Sequence, residues 1–304
     1  MSAENFNQTA LDLPPVRGTY RFNADLSKTN WFRVGGKAQV LFLPKDRADL
    51  VSFLTHKSSD LPITLLGVGS NVIIRDGGVE GVVIKLGGDF TKISHQDNLV
   101  NIGGSCLCYN ASLYCRINGL SGLEFLAGVP GSIGGAIAMN AGCYNGDIAS
   151  ALVSATALDF NGKVLQLNNK DFGFTYRGNS LQKNLIFVEG IFKIEKSTPE
   201  EVGHKIAEFN RKREATQPIR TKTSGSTFKN PPGDKKAWQL IDEAGCRGIK
   251  VGDAQISEQH CNFMINTGNA TAKDLINLGN LVIDKVKEKS GIVLEWEIKI
   301  IGRD

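Results

Sequence analysis

Gly67-Val68-Gly69-Ser70-Asn71 has the glycine spacing of a dinucleotide-binding turn, but the chain continues as Val72-Ile73-Ile74-Arg75-Asp76-Gly77-Gly78, a β-branched run that ends in a second turn. A Rossmann fingerprint needs a helix at that point, because the helix N-terminus receives the pyrophosphate. The loop therefore reads as a strand-loop-strand turn. Its glycine N–H groups, with the Ser70 and Asn71 side chains, can form a nest around phosphate oxygens; a tight turn without a ligand is the alternative.

A second glycine block weighs between those readings. In Gly128-Val129-Pro130-Gly131-Ser132-Ile133-Gly134-Gly135-Ala136-Ile137-Ala138-Met139-Asn140-Ala141-Gly142, Pro130 and Ser132 can open a short helix, and Gly134 and Gly135 keep side chains off its first turn. Such an end presents N–H groups and positive dipole to an anion, although close helix-sheet packing also favours glycine. Two phosphate-friendly loops in one lobe strengthen the ligand reading.

Around these loops the pattern alternates irregularly between strands and helices, which predicts α+β lobes. Residues 1 to 20 are polar and contain prolines, a flexible lead-in, and structure is expected to begin near Trp31. Lys37 to Leu43 reads as a strand, and Asp46 caps a helix through His56. Short strands follow at Ile63 to Leu66, Val72 to Ile74 and Val82 to Leu86. A helix from a Ser105 cap runs to Asn118, closed by Gly119. Leu152 to Phe160 and Lys163 to Leu167 flank Asn161-Gly162, the dipeptide suited to a type I′ hairpin, and Ile186 to Ile194 is another strand. Thr198-Pro199-Glu200-Glu201 opens a helix that must stop before Pro218; helices follow at Ala237 to Ala244 and Thr271 to Ser290, then a long strand, Ile292 to Ile301. With 304 residues, two domains are expected, 21–205 (subdomains of about 21–88 and 89–205) and 206–304, the final strand returning to the active site.

Composition removes several function classes. No stretch approaches the roughly 18 apolar residues of a membrane span, and the N-terminus lacks the basic and apolar regions of an export signal, so a cytoplasmic protein is expected. Six cysteines without a CxxC pair read as reduced thiols, and four histidines without HxxxH spacing give no metal site. A net charge of +4, evenly spread, is too small for a nucleic-acid surface but suits anionic small molecules.

Thr29-Asn30-Trp31-Phe32-Arg33-Val34-Gly35-Gly36, the GxGSN loop and the PGSIGGAIAMNAG block together resemble, in order and spacing, the FAD-binding region of the UDP-N-acetylenolpyruvoylglucosamine reductase (MurB) family. The resemblance extends from about Thr29 to Gly302. It implies the vanillyl-alcohol-oxidase (PCMH-type) FAD-binding fold, two α+β subdomains clasping non-covalent FAD, with a smaller α+β substrate-binding domain. Carried over residue by residue, FAD contacts fall on Arg33, Val34, Gly35, Gly36, Gly67, Gly69, Ser70, Asn71, Gly128, Pro130, Gly131, Ser132, Gly134, Gly135, Asn140, Ala141 and Gly142.

The same resemblance makes Arg177, in Phe174-Thr175-Tyr176-Arg177-Gly178-Asn179-Ser180, the active-site arginine; by itself it would pass for a solvated side chain. Ser226, in Ser224-Gly225-Ser226-Thr227-Phe228-Lys229-Asn230-Pro231, becomes the proton donor, and Glu297, not Glu295, the active-site carboxylate. Lys229, Asn230 and His260 become substrate contacts, and Arg220 and Lys222 add positive charge near the serine loop. The implied activity, in peptidoglycan precursor synthesis, has NADPH reduce FAD. Reduced FAD then passes hydride to the enolpyruvyl carbon remote from the carboxylate of a UDP-sugar enolpyruvyl ether, and Ser226 protonates the adjacent carbon, giving UDP-N-acetylmuramate. A monomer is expected. The chain lacks the tyrosine-bearing insertion of one branch of the family between Arg177 and Ser226, so it resembles the shorter branch and leaves open what clamps the sugar diphosphate; Tyr144 cannot be assumed to replace it. The rivals are a flavin-dependent sugar or alcohol oxidase of the same fold, and a non-catalytic nucleotide-sugar binding protein.

Overall fold

A computed structural model of the chain describes residues 11–181 and 184–304. The first ten residues of the expected lead-in lie outside it.

The first sheet is mixed, with strands in the order Thr19–Asp25, Lys37–Leu43, Val79–Ile84, Ile63–Leu65; the first pair is antiparallel and the others parallel. Ordered structure thus begins before Trp31. Polar composition hid the anchors of the lead-in: Leu11, Leu13 and Val16 pack on the core formed by Phe42, Phe53 and Leu158, and the N–H groups of Arg17 and Gly18 donate to Asp49. Asp46 caps helix Arg47–His56 as expected, accepting from Asp49 N.

The second sheet has five antiparallel strands in the order Val164–Asn168, Leu152–Asp159, Leu185–Lys193, Leu99–Gly103, Ile93–Gln96. Helix Ile133–Met139 packs on it through Ile137 and Phe192. Its hairpin is present, but not with a type I′ turn: Gly162 N donates to Asp159 O, Asn161 keeps a negative φ, and only Gly162 is left-handed at +84°. Asp159 Oδ1 accepts from Asn161 N and Lys163 N, and this side-chain bracket selects a type I turn closed by a glycine. Helix Cys108–Ile117 also departs from expectation, since Ser105 is not its cap; the serine hydroxyl donates to Leu86 O instead.

The C-terminal part surrounds helices Ala237–Glu243 and Ala272–Ser290 and a three-stranded sheet ending in Met264–Asn266. Phe32 and Val34 enter its core beside Phe228 and Leu275, and Asn266 Nδ2 donates to Phe32 O at 2.8 Å, so the N-terminal motif ties the lobes together. Asp76 does the same from the turn after the first glycine loop, accepting from Ala272 N and Lys273 N at the start of the longest helix.

The expected ten-residue last strand is only Lys299–Ile301, parallel to Val72–Ile74. The side-chain alternation holds in part, with Leu294 and Ile298 buried and Trp296 set against Gly279. The backbone, however, divides its hydrogen bonds: Glu295 O accepts from Lys229 N, Glu297 N donates to Thr227 O, and only at Lys299 N does it reach Asn71 O. Two successive partners prevent one continuous ladder. Among the described residues no helix is long and apolar enough to cross a membrane.

Candidate active site

The two glycine loops face one another. Ser70 Oγ donates to Pro130 O at 2.9 Å, and Cβ atoms added at Gly67 and Gly131 would approach Ser132 Oγ and Ser70 Oγ at 3.2 and 3.3 Å. At Gly69, with φ +68°, a Cβ would lie 2.4 Å from Thr29 O, while Trp31 N donates to Gly69 O; glycine is required there by backbone contact. Asn71 Nδ2 donates to Glu297 O at 3.1 Å, and Lys299 N to Asn71 O at 3.2 Å. The side-chain donors of Ser70 and Asn71 are thus committed within the protein, to two carbonyls and the Met139 sulfur. They act as brackets holding loop to loop and loop to final segment.

Between the loops runs a trough of about 800 Å³ lined by Gly67, Gly69, Gly131, Ser132 and Gly135. It continues past Ser70, Asn71, Pro130, Met139 and Ala141, which it shares, into a cleft of about 920 Å³. The trough meets the requirement of a dinucleotide cradle. At Gly67, Gly131 and Gly135 a Cβ would meet no protein backbone, only a serine hydroxyl at 3.2 to 3.6 Å, so absence of side chains there keeps the cradle open. The neighbouring Gly134 has a different reason. Its Cβ would sit 2.7 Å from Phe187 O, and its N–H donates to Gly104 O, as Ile133 N does to Cys106 O. Helix packing on the sheet therefore uses two of the N–H groups that the sequence suggested were free for an anion.

Arg33, Val34, Gly35 and Gly36 are not among the residues lining trough or cleft. Val34 is core, a Cβ on Gly35 or Gly36 would strike the Ile74 or Asp76 backbone, and Arg33 donates to Lys28 O. Gly128, Pro130, Ala141 and Gly142 line the cleft. Asn140 lies beneath it, left-handed at φ +44°, donating to Thr175 O at 3.0 Å and accepting from Ala149 N; it positions the arginine loop.

Arg177, Ser226 and Glu297 converge on the cleft. Arg177 Nε donates to Glu297 Oε1 at 2.9 Å and Nη2 to Gly142 O at 3.2 Å. Ser226 follows left-handed Gly225 (φ +78°) and bridges to Phe263; the next residue, Thr227, donates its N–H to Asn262 O and accepts from Glu297 N. The serine and the carboxylate are thereby held by adjoining backbone. Among the described residues the Ser226 hydroxyl has no hydrogen-bond partner. Glu295, by contrast, is exposed and pairs with Lys229 at 3.2 Å.

Burial raises the Glu297 carboxyl above the ordinary glutamate range, while Arg177 and, more weakly, Lys229 oppose the shift. The folded state thus keeps a proton that the unfolded chain has already released, and stability drawn from the neutral carboxyl is complete below the ordinary range and lost as pH rises through the folded value. For Glu297→Gln, the melting temperature relative to the parent should climb with pH across that window. A difference that stays flat in thermal melts from pH 4 to 8 would mean that this carboxyl titrates normally.

The remaining expected contacts lie to one side. Lys229 and Asn230 line a separate depression with Tyr176, whose hydroxyl Asn230 Nδ2 meets at 3.2 Å. His260 packs edge-on to Phe263, with its pKa lowered by burial, and only Phe263 reaches the cleft. Lys222 donates to Gly268 O away from the cleft, and Tyr144 stacks on Phe209 with its hydroxyl donated to Phe209 O. Sequence reasoning missed Arg213, Gln217 and Ser224, which form part of the cleft wall. An arginine on a helix facing solvent is common enough that only its four-residue spacing to Gln217, just ahead of Pro218, could have signalled a shared face.

Comparison with known proteins fits this geometry. Residues 217–301 match the family described as UDP-N-acetylenolpyruvoylglucosamine reductase, C-terminal domain, and residues 38–168 match FAD binding domain. UDP-N-acetylenolpyruvoylglucosamine reductase of Rickettsia prowazekii (strain Madrid E) is 53% identical over 291 residues, 96% of this chain and 98% of the relative. The protein of the same name from Rickettsia massiliae (strain Mtu5) is 52% identical over 293 residues, 96% of this chain and 99% of the relative. The crystal structure of UDP-N-acetylenolpyruvylglucosamine reductase (MurB) from Thermus caldophilus superposes with a TM-score of 0.80 at 34% identity, covering 95% of this chain and all of that one.

Proposed function

The chain belongs to the UDP-N-acetylenolpyruvoylglucosamine reductase family, and on that premise we propose that it uses NADPH and bound FAD to reduce UDP-N-acetyl-3-O-enolpyruvylglucosamine to UDP-N-acetylmuramate. The observation that carries this reading is the single cleft in which Arg177, Ser226 and Glu297 meet and which opens directly into the glycine-lined trough. The fold is the α+β FAD-binding fold related to the PCMH-type oxidases. Reductase relatives matching over nearly the whole chain set aside an oxidase or a non-catalytic binding protein.

Gly67, Gly131, Ser132 and Gly135 are the residues that would hold FAD along the trough, with Met139 and Ala141 where trough meets cleft. Bound FAD supplies the two-electron carrier between a nicotinamide and the enolpyruvyl group. The protein orients the reacting groups and balances charge. Arg177 carries a permanent positive charge and faces the substrate carboxylate, where negative charge spreads as the double bond is reduced. Ser226 gives its hydroxyl proton to the carbon next to that carboxylate; a serine is a weak acid, but an enolate is basic enough to take its proton. Glu297, whose pKa burial raises against the pull of Arg177, sits 2.9 Å from Arg177 Nε and holds the guanidinium in place in the cleft. Lys229, Asn230 and Tyr176 serve the outer part of the UDP-sugar. The substrate-binding unit begins near residue 206, inside helix Pro199–Thr216, and the protein acts in the cytoplasm as a monomer.

Purified protein is expected to be yellow and to release intact FAD on denaturation. Well-folded colourless protein that cannot be reconstituted with FAD would sink the assignment.

A further inference from the structure

Arg213 projects from helix Pro199–Thr216 into the wall of the reaction cleft, but the mechanism above leaves it without a task. Its Nε donates to Gln217 Oε1 at 3.2 Å, and no carboxylate lies within ion-pair distance of it among the described residues. The other cleft arginine, Arg177, is already paired with Glu297. Cys143 and Tyr144 are the groups that interact most with Arg213, and neither supplies a negative charge at neutral pH: burial pushes the Cys143 thiol up to about 11 and raises the Tyr144 phenol as well. A partly buried guanidinium cannot discharge itself, so it keeps an unmet demand for an anion.

A second observation points the same way. Ser224 is 2% exposed, lines the same cleft, and its Oγ is buried without a hydrogen-bond partner. A buried hydroxyl left unpaired is costly unless something entering the cleft completes it. Neither Arg213 nor Ser224 lines the trough of Gly67, Gly131 and Gly135, so their partner is a molecule that visits the reaction cleft and not the part of FAD held by the glycines.

Resting on the reductase reading above, we propose that Arg213, supported by Gln217, binds a phosphate of a nucleotide entering this cleft, with Ser224 as a neutral donor in the same wall. The enolpyruvyl carboxylate is taken by Arg177, and phosphate is the remaining anionic group that the UDP-sugar and NADPH share. A fixed fork of donors suits phosphate oxygens.

The test uses FAD-loaded Arg213→Gln and Arg213→Lys, with Arg211→Gln, an exposed residue of the same helix, as the control for net charge. Flavin bleaching by NADPH and flavin recovery with the UDP-sugar enolpyruvyl ether are each titrated anaerobically by stopped flow. In Arg213→Gln the apparent Kd of at least one nucleotide should rise about tenfold to a hundredfold, the scale of a lost charge-assisted contact. Limiting rates and flavin content should stay within about threefold, Arg213→Lys should recover part of the affinity, and Arg211→Gln should match the parent. A shift confined to the UDP-sugar assigns the sugar diphosphate, one confined to NADPH assigns the dinucleotide, and a shift in both assigns a common phosphate position. Unchanged affinities for both, or loss of FAD as the main effect of Arg213→Gln and Arg213→Lys, would overturn the proposal. Failure of the parent protein itself to be reoxidised by the UDP-sugar would instead overturn the reductase reading.

Discussion

Replacing Ser226 with alanine is expected to leave flavin bleaching by NADPH near the parent rate and to slow reoxidation by the enolpyruvyl substrate by at least about a hundredfold, the usual scale for a positioned general acid. The separation arises because a proton delivered to the substrate carbon has no part in the first half-reaction. The structure makes alanine a clean deletion. Ser226 is not a left-handed position, the turn before it depends on Gly225, and the flanking hydrogen bonds use the backbone of Thr227, not the Ser226 side chain. Stopped-flow measurement of the two steps decides the matter. Equal slowing of both would indicate damage to the cleft, and unslowed reoxidation would remove Ser226 from proton delivery.

The sequence located this site better than it described it. Arg177 and Glu297 are 120 positions apart, and neither hydropathy nor spacing could pair them; only the motif resemblance brought them together, and the structure supplies the 2.9 Å contact. Burial of Glu297 was likewise invisible, because alternation along the last segment marks Glu295 and Glu297 as equivalent, yet one is exposed beside Lys229 and the other is enclosed beside Arg177. Adjacent glycines show the same limit. Gly134 and Gly135 read alike, but the sheet claims the first and the trough claims the second, a distinction made by packing partners distant in sequence. Local signals did best where the cause was local: the Asp46 and Thr198 caps and the left-handed close at Gly119 are where the chain's own chemistry puts them. The 161–162 turn went wrong because Asp159 reaches forward with a side-chain bracket that dipeptide preference ignores.

Arg177→Lys should be the most informative change in the pair. Lysine keeps the positive charge but has one donor centre, whereas Arg177 reaches Glu297 Oε1 with Nε and Gly142 O with Nη2 at once. Those two contacts fix the guanidinium plane against the cleft, and a left-handed backbone at φ +57° fixes the direction from which it enters. An ammonium group cannot hold both contacts and still face a substrate carboxylate, so alignment is lost though the net charge is unchanged. Losing one preorganised donor at a developing negative charge costs about a hundredfold to a thousandfold in rate, and that is the expected drop in reoxidation, with flavin content and the bleaching step by NADPH little altered. Because lysine keeps the charge beside Glu297 but not the Nε hydrogen bond that also opposes its raised pKa, the carboxyl pKa should move only slightly further upward in Arg177→Lys. Rates within threefold of the parent would show that charge alone suffices at residue 177, and the fork geometry would then have no part in the chemistry.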